Sequence, residues 1–242
     1  MAVRRASLSI LTGAKGNQAS GPPWLALGGT VTDAGGFRVH AFETVGNYTF
    51  SVPTGLGAFE YLLIGGGGGA GMQGDTYPGG GGAGGYLAGV MSGVAGRALA
   101  VTIGIGGDGS GAVGSKSVLD YLTAFGGGGG YNAGVGGNGA SGAGGSGWAS
   151  TNAGGAGMAD QGNHGGTGSY GSIGGYGGGV GGSGNTTASG LYNSITGTAI
   201  RYCDGGRSNA SAGATTRGTG GSCRNTSQGI SGALYIRYAL TG

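Results

Sequence analysis

Apolar and polar residues alternate in three segments of the first half of the chain, and each segment is predicted to form a strand with one buried face. The segments are residues 37–42, 48–52 and 99–105. Alternation places one face of a strand against a core and the other towards solvent. Pro53 follows the second segment and cannot donate to a ladder, so that strand is expected to end there.

Other segments are apolar with little or no alternation. Residues 61–64 form a continuous apolar run, which is typical of a strand buried on both faces. The predicted strands lie within residues 37–64, 86–125 and 233–239. We expect residues 61–64, 99–103 and 234–238 to share one β-layer, because the glycine-rich sequence next to each of them cannot bury it.

Glycine occupies most of the remaining sequence, with 72 of the 242 residues. Disordered chains are poor in aromatic and β-branched residues, whereas the predicted strands are rich in them. A collagen helix needs glycine at every third position and abundant proline. Here glycines are consecutive, as in residues 65–69, 79–82 and 126–130, and there are only four prolines. The glycine runs therefore indicate neither disorder nor collagen.

A polyproline-II-like helix suits such runs, because chains without Cβ atoms approach closely enough to hydrogen bond through their backbones. We expect these helices to pack side by side, both parallel and antiparallel. The predicted fold is mostly β and irregular, with almost no α-helix. A β-layer or small sandwich clamps a bundle of polyglycine-II helices. The glycine-rich domain spans residues 37–242, with the runs and loops at 65–85 and 126–232.

Residues 1–36 form an arm with two turn-rich bends, too short to bury a core of its own. We expect it to bind a partner subunit or neighbouring copies. Its apolar stretch at residues 6–11 is interrupted by Ser7 and Ser9 and is too short for a signal peptide. No segment has the length of a membrane span, so membrane insertion is not expected.

The sequence contains little that suggests catalysis or nucleic-acid binding. A net charge of +3 is spread along the chain, whereas nucleic-acid binding needs clustered cations. His40 and His164 stand outside any nucleophile motif, and the eight acidic residues are scattered. The Gly-x-Gly-x-x-Gly patterns lack the strand and helix context of a dinucleotide site. We therefore expect a non-enzymatic protein with no catalytic residue, no metal site and no cofactor.

The two cysteines allow two interpretations. Cys203 and Cys223 lack the spacing of a zinc site. They form a disulfide if their Cα atoms lie within about 7 Å. Otherwise they are two small buried thiols, as free cysteines commonly are.

Seven blocks follow one another in a defined order: residues 37–42, 48–53, 59–69, 79–86, 99–107, 124–130 and 232–238. In this order they resemble the glycine-rich domain of bacteriophage tail-fibre and other virion proteins. The resemblance covers residues 37–238, about 200 residues. Some relatives are adhesins, whose packed polyglycine-II helices carry variable loops that contact host receptors.

The resemblance implies a tail-fibre or tail-tip adhesin, made in the host cytoplasm without a signal peptide and built into the virion. Residues 1–36 would then dock on other virion subunits, and a homo-oligomer, with a trimer favoured, would bind a protein or glycan receptor. One alternative is a structural or decoration fibre that binds no receptor. Another is a cellular surface or matrix filament, or an ice-binding protein.

Aromatic and polar residues stand at the breaks between glycine runs, where they either cap the bundle or form a binding surface. Tyrosine and tryptophan give large contact areas at low entropy cost, and serine, glycine and asparagine give adaptable hydrogen bonds. The candidate receptor-binding residues are Tyr131, Asn132, Trp148, Asn152, Asn163, His164, Tyr170, Tyr176, Tyr192 and Tyr202.

Overall fold

The computed structural model describes residues 25–71, 77–148, 150–185, 188–208, 216–223 and 228–240, and over these ranges the protein is all-β. Residues 1–24 of the predicted arm lie outside the described residues. Within the described ranges no helix is long and apolar enough to cross a membrane. The strands are β1 (Thr30–Ala34), β2 (Phe37–Phe42), β3 (Gly46–Ser51), β4 (Ala58–Ile64), β5 (Tyr86–Ser92), β6 (Ala98–Ile103), β7 (Ser117–Leu119), β8 (Leu122–Ala124), β9 (Leu191–Asn193), β10 (Ile200–Tyr202) and β11 (Ala233–Ala239).

Two antiparallel sheets form a small sandwich. The larger has the order β1-β2-β11-β4-β5, and the smaller has the order β3-β6-β7-β8. The last strand, β11, lies between β2 and β4, where Leu234 pairs with Phe42 on one side and with Leu63 on the other. The last strand in the sequence is therefore the central strand of the larger sheet.

The alternating strands bury one face between the two sheets. Phe50, Leu99 and Ile103 of the smaller sheet pack with Leu63 and Ile236 of the larger one in a single apolar cluster. The expectation of one common β-layer was wrong for residues 99–103, which lie in the opposite sheet. The three apolar segments share a core because they face one another across the sandwich.

The larger sheet also buries its second face, in the region of β4 and β11. Leu62 and Ile64 point away from the sandwich core and pack with Tyr202, Cys203 and Tyr235 in a second cluster. This confirms the prediction that residues 61–64 are buried on both faces. The short β9–β10 hairpin that helps to cover this face was not predicted, because three-residue strands show no measurable period.

The glycine runs form threefold helices, and their hydrogen bonds reveal the repeat. Along residues 65–69, the backbone N–H groups of Gly65 and Gly68 donate to residues 85 and 82, while those of Gly66 and Gly69 donate to residues 115 and 112. The partner segment thus recurs at every third residue, as a helix with three residues per turn requires. The same run lies parallel to residues 127–130, whose N–H groups bond to the carbonyl groups of Gly66 and Gly69.

Each central run is surrounded by other chain segments. Residues 65–69 exchange backbone hydrogen bonds with six segments, at residues 79–85, 105–107, 112–115, 126–130, 218–221 and 229–230. Residues 79–85 likewise contact six segments, and their partners also recur at every third residue. The prediction of packed parallel and antiparallel polyglycine-II helices is confirmed. Their interior consists of peptide groups.

Glycine is required in these runs for close approach. A methyl group built on Gly67 would fall well inside 3.0 Å of the carbonyl oxygen of Thr219, and one on Gly68 would do the same at Gly128. Neither glycine has a positive φ. Crowding by neighbouring backbone, rather than an unusual dihedral angle, therefore excludes larger residues.

Residues 25–36 belong to the sandwich. β1 pairs along its length with β2. The two are joined by Gly35 and Gly36, whose φ values of 59° and 82° are typical of a two-residue type I′ hairpin turn. The domain boundary predicted between residues 36 and 37 thus separates two paired strands, and the structure places the start of the domain before β1.

Candidate functional site

One end of the glycine bundle lies opposite the sandwich. Residues 65–71 leave the end of β4 and residues 77–85 return to the start of β5, joined by hydrogen bonds from Gly65 to Gly85 and from Gly71 to Gly79. The first bond is at the sandwich and the second is at the far tip of this helical hairpin. We call the far end of the bundle the distal end, and the other the sandwich end.

Three later turns reach the distal end as well. Gly79 N donates to Tyr131 O at 3.2 Å, and Gly147 N donates to Tyr77 O at 2.8 Å. Gly171 N donates to Gly147 O at 2.8 Å. The turns around residues 131, 148 and 170 are therefore connected directly to one another and to the tip at residue 77.

Each of these distal turns carries an exposed aromatic ring. The exposed fractions are 40% for Tyr77, 43% for Tyr131, 43% for Trp148 and 69% for Tyr170. We call these four residues the distal aromatic face. Large apolar groups gathered on one surface commonly mark an interaction site.

Side chains hold the distal turns in place. Asn152 Nδ2 donates to Ser146 O at 3.0 Å and lies 3.1 Å from Ser146 Oγ, which also accepts from Gly134 N at 2.9 Å. Tyr170 N donates to Thr151 Oγ1 at 3.4 Å. The turns at residues 134, 146, 151 and 170 are thereby connected, which favours a rigid presentation of the rings.

Both charge signs occur at this end. Asp108 follows the outgoing segment after β6, and hydrogen bonds from Ser110 hold the pKa of its carboxyl below the ordinary value. Arg207 is exposed, and its backbone oxygen accepts from Cys223 N at 3.0 Å, while Cys223 Sγ contacts Pro78 O at the tip. The distal end therefore combines apolar rings with a carboxylate and a guanidinium group.

The structure brings only part of the predicted site together. Tyr131, Asn132, Trp148, Asn152 and Tyr170 lie at the distal end, with Asn132 exposed and Asn152 engaged in the turn. Tyr77 joins them; like the candidates it stands at a break between glycine runs, but it was not included among them.

Three other candidates lie elsewhere on the surface. Asn163 is at the sandwich end, where its Nδ2 donates to Gly179 O at 2.8 Å and to Val180 O at 3.1 Å. His164 follows it and accepts from Gly157 N at Nδ1. Tyr176 lies midway along a run and is half-buried. Asn163 and His164 are therefore at the opposite end of the bundle from the distal aromatic face.

The last two candidates belong to the β9–β10 hairpin. Tyr192 is 69% exposed, but it lies at the sandwich end. Tyr202 is only 2% exposed and packs in the second apolar cluster, with its ring centroid 5.8 Å from that of Tyr235. Its prediction as a receptor contact was wrong, because the ring covers the outer face of β4 and β11.

Both cysteines are free and buried. Cys203 Sγ lies 3.8 Å from Arg217 O, whereas Cys223 Sγ lies 3.4 Å from Pro78 O at the distal end. The disulfide alternative is therefore wrong. Burial raises the pKa of both thiols, to about 12 for Cys223. Neither is activated as a nucleophile.

The described residues contain no group of three or more His, Cys, Asp and Glu side chains that could hold a metal ion. Burial lowers the pKa of His40, which lies within the sandwich core. The exposed groups at the distal end can form apolar contacts and hydrogen bonds.

A family model described as a glycine-rich domain matches residues 43–238, which span most of both sheets and the whole bundle. Among curated proteins, no sequence match was found.

Proposed function

The chain belongs to the glycine-rich domain family, and from this membership and the distal aromatic face we propose that it is a non-enzymatic attachment protein. In this proposal it is a tail-fibre or tail-tip adhesin of a bacteriophage, and it binds a receptor on the host-cell surface. The phage context rests on the order of sequence blocks described above.

The observation that carries the proposal is the convergence of four exposed aromatic rings from separate turns at one end of the bundle. A group of exposed rings at one end is informative, whereas a single exposed apolar residue is not. Tyrosine and tryptophan flanked by serine, glycine and asparagine are also the composition of antibody binding loops.

The scaffold supports binding by limiting the entropy that is lost. Ordering a flexible side chain at an interface costs about 0.5–1.5 kcal/mol. Here the turns are already tied by hydrogen bonds through Asn152, Ser146 and Thr151. The rings are therefore presented in nearly the geometry in which they would bind.

The two ends of the molecule suit different partners. Residues 25–29 belong to the sandwich end, where Leu27 bridges to Ser51. The arm is proposed to dock on other virion subunits, in a homo-oligomer with three copies favoured. This arrangement would direct the distal aromatic face outwards, towards the cell.

The test is binding of the purified protein to candidate host cells. Replacing Trp148 and Tyr131 together with Ala should abolish binding, with little change in the melting temperature because both rings are on turns. The matched control is Tyr192→Ala, which removes a ring as exposed as that of Tyr170 from the sandwich end.

Two results would refute the adhesin proposal. One is full binding by the Trp148 and Tyr131 double variant, and the other is equal loss of binding in the Tyr192 control. If no host cell binds the protein while the virion still needs it for assembly, the structural-fibre alternative would replace the proposal.

A further inference from the structure

A cleft of about 270 Å³ lies at the sandwich end, away from the distal aromatic face. It is lined by Tyr86, Asp160, Gln161, Gly162, Asn163, Val180 and Leu191. These residues come from the start of β5, the turn after residue 157, the turn at residue 180 and the start of β9. Four parts of the fold thus meet around one opening.

The walls of the cleft are fixed by hydrogen bonds. Gln161 Oε1 accepts from Phe125 N at 2.9 Å and its Nε2 donates to Thr123 O at 3.0 Å, so both ends of its amide are held by the β8 region. Asn163 Nδ2 donates to the carbonyl groups of Gly179 and Val180. A ligand would find these amides already oriented.

Asp160 differs from its neighbours because nothing in the described part of the chain pairs with its carboxylate. Its φ is +65°, in the left-handed region that residues other than glycine seldom adopt. Aspartate adopts this region more readily than most residues do, so the turn holds it without a charged partner. The turn therefore presents an uncompensated acceptor at the cleft.

Two further groups keep unused hydrogen-bonding capacity. Asn163 uses its amide nitrogen, which leaves the carbonyl oxygen Oδ1 as an acceptor. The hydroxyl oxygen of Tyr86 accepts from Asn193 Nδ2 at 2.8 Å, so its own hydrogen remains available to donate. The lining thus combines two acceptors, one donor, an aromatic ring and the aliphatic side chains of Val180 and Leu191.

We propose that this cleft binds one neutral saccharide ring. Adjacent hydroxyl groups of a sugar donate in pairs to a carboxylate, and sugar oxygens accept from a hydroxyl donor such as that of Tyr86. The C–H face of the ring packs against aromatic and aliphatic surface. Pockets for drug-sized ligands measure about 300–1,000 Å³, and this smaller cleft of about 270 Å³ has room for a single ring. Among the described residues that line the cleft there is no Lys or Arg to compensate an anionic ligand.

Saturation-transfer NMR of the full chain with glucose, galactose, mannose and N-acetylglucosamine tests this directly, with cadaverine as the cationic competitor. At least one neutral sugar should bind, and Asp160→Asn should weaken it about tenfold or more, as expected for losing hydrogen bonds to a charged group. Asparagine tolerates the left-handed conformation, so the variant should fold. The matched control is Asp108→Asn, at the distal end, which should bind sugar as the wild type does.

The proposal is overturned if none of the sugars binds, if Asp160→Asn binds sugar unchanged, or if only cadaverine binds. The site is independent of the proposed attachment function. Changes to Trp148 and Tyr131 should leave sugar binding intact, so failure of either proposal is visible without the other.

Discussion

His40 Nε2 lies 3.1 Å from the hydroxyl oxygen of Tyr238, a contact that joins β2 to β11 across 198 residues of sequence. His40 Nδ1 lies 2.6 Å from Gly28 O, which can only accept, so Nδ1 carries the ring proton. Nε2 therefore accepts from Tyr238, whose oxygen accepts from Ala26 N at 2.9 Å. This chain of bonds fastens residues 26–28 to the larger sheet.

Acidification should weaken this connection. Burial lowers the pKa of His40 below its ordinary value near 6.5, although the Gly28 carbonyl and Asp33 oppose the shift while Arg38 adds to it. The unfolded chain thus binds this proton at a higher pH than the folded one. The contribution of His40 to stability is complete above about pH 6.5 and is lost as the pH falls towards the depressed folded value.

Melting temperatures measured from pH 8 to pH 5 should therefore fall in the wild type. His40→Gln should lower the stability at pH 8 by about 1–3 kcal/mol, since it disturbs buried hydrogen bonds, and its melting temperature should depend less on pH in this window. If the melting temperatures of the two proteins depended equally on pH, His40 would not be the group whose lowered pKa causes this dependence.

Valine at Gly67 should destabilise the domain by about 2–5 kcal/mol, because overpacking adds to the loss of buried peptide hydrogen bonds. Gly67 N donates to Ile230 O, and Gly67 O accepts from Gly107 N. Gly128→Val is expected to behave similarly. The control is Gly57→Val, where a Cβ would meet nothing within 4 Å and the φ is not positive. The free energy of unfolding would be measured in urea. If Gly57→Val lowered it as much as Gly67→Val, the runs would not be close-packed.

Deletion of residues 234–242 should unfold the domain. The deletion removes most of β11, which lies between β2 and β4 and contributes Leu234, Ile236 and Tyr238 to the core. Deletion of residues 241–242 alone, beyond β11, is the control and should leave the melting transition in place. A cooperative transition at the wild-type temperature in the longer deletion would mean that the sandwich forms without its central strand.

Both cysteines should be unreactive in the native protein, because both are buried free thiols with raised pKa values. A chromogenic thiol reagent should detect two thiols in denaturant and almost none in buffer. Reducing agents should not change the melting temperature. A drop in that temperature on reduction would indicate a disulfide and contradict the structure.

The sequence predicted the strands with a clear pattern but not their arrangement. β2, β3, β4, β6 and β11 all lie where alternation or a continuous apolar run placed them. The insertion of β11 between β2 and β4 depends on contacts across the whole chain. Alternation indicates which face of a strand is buried. It does not indicate which other strand lies beside it in the sheet.

The site was predicted only in part for a related reason. A run of glycine has no side-chain pattern. The local sequence therefore does not indicate at which end of the bundle the next turn lies. Successive turns instead alternate between the distal end and the sandwich end along the chain. Those near residues 131, 148 and 170 are distal, whereas those near residues 140, 160 and 182 are at the sandwich end. Counting the turns from residue 126 onwards would have separated Trp148 from Asn163.

We propose that the distal turns determine which host is bound, and exchanging these turns tests the proposal. Residues 131–134, 148–151 and 169–172 would be replaced together by the corresponding turns of a relative that infects another host, with an exchange of residues 158–164 as the sandwich-end control. Adsorption of virions carrying each exchange would then be measured on both hosts. The distal exchange should transfer adsorption to the second host, whereas the control exchange should leave adsorption on the first host. Unchanged adsorption after the distal exchange would mean that the distal turns do not determine the host.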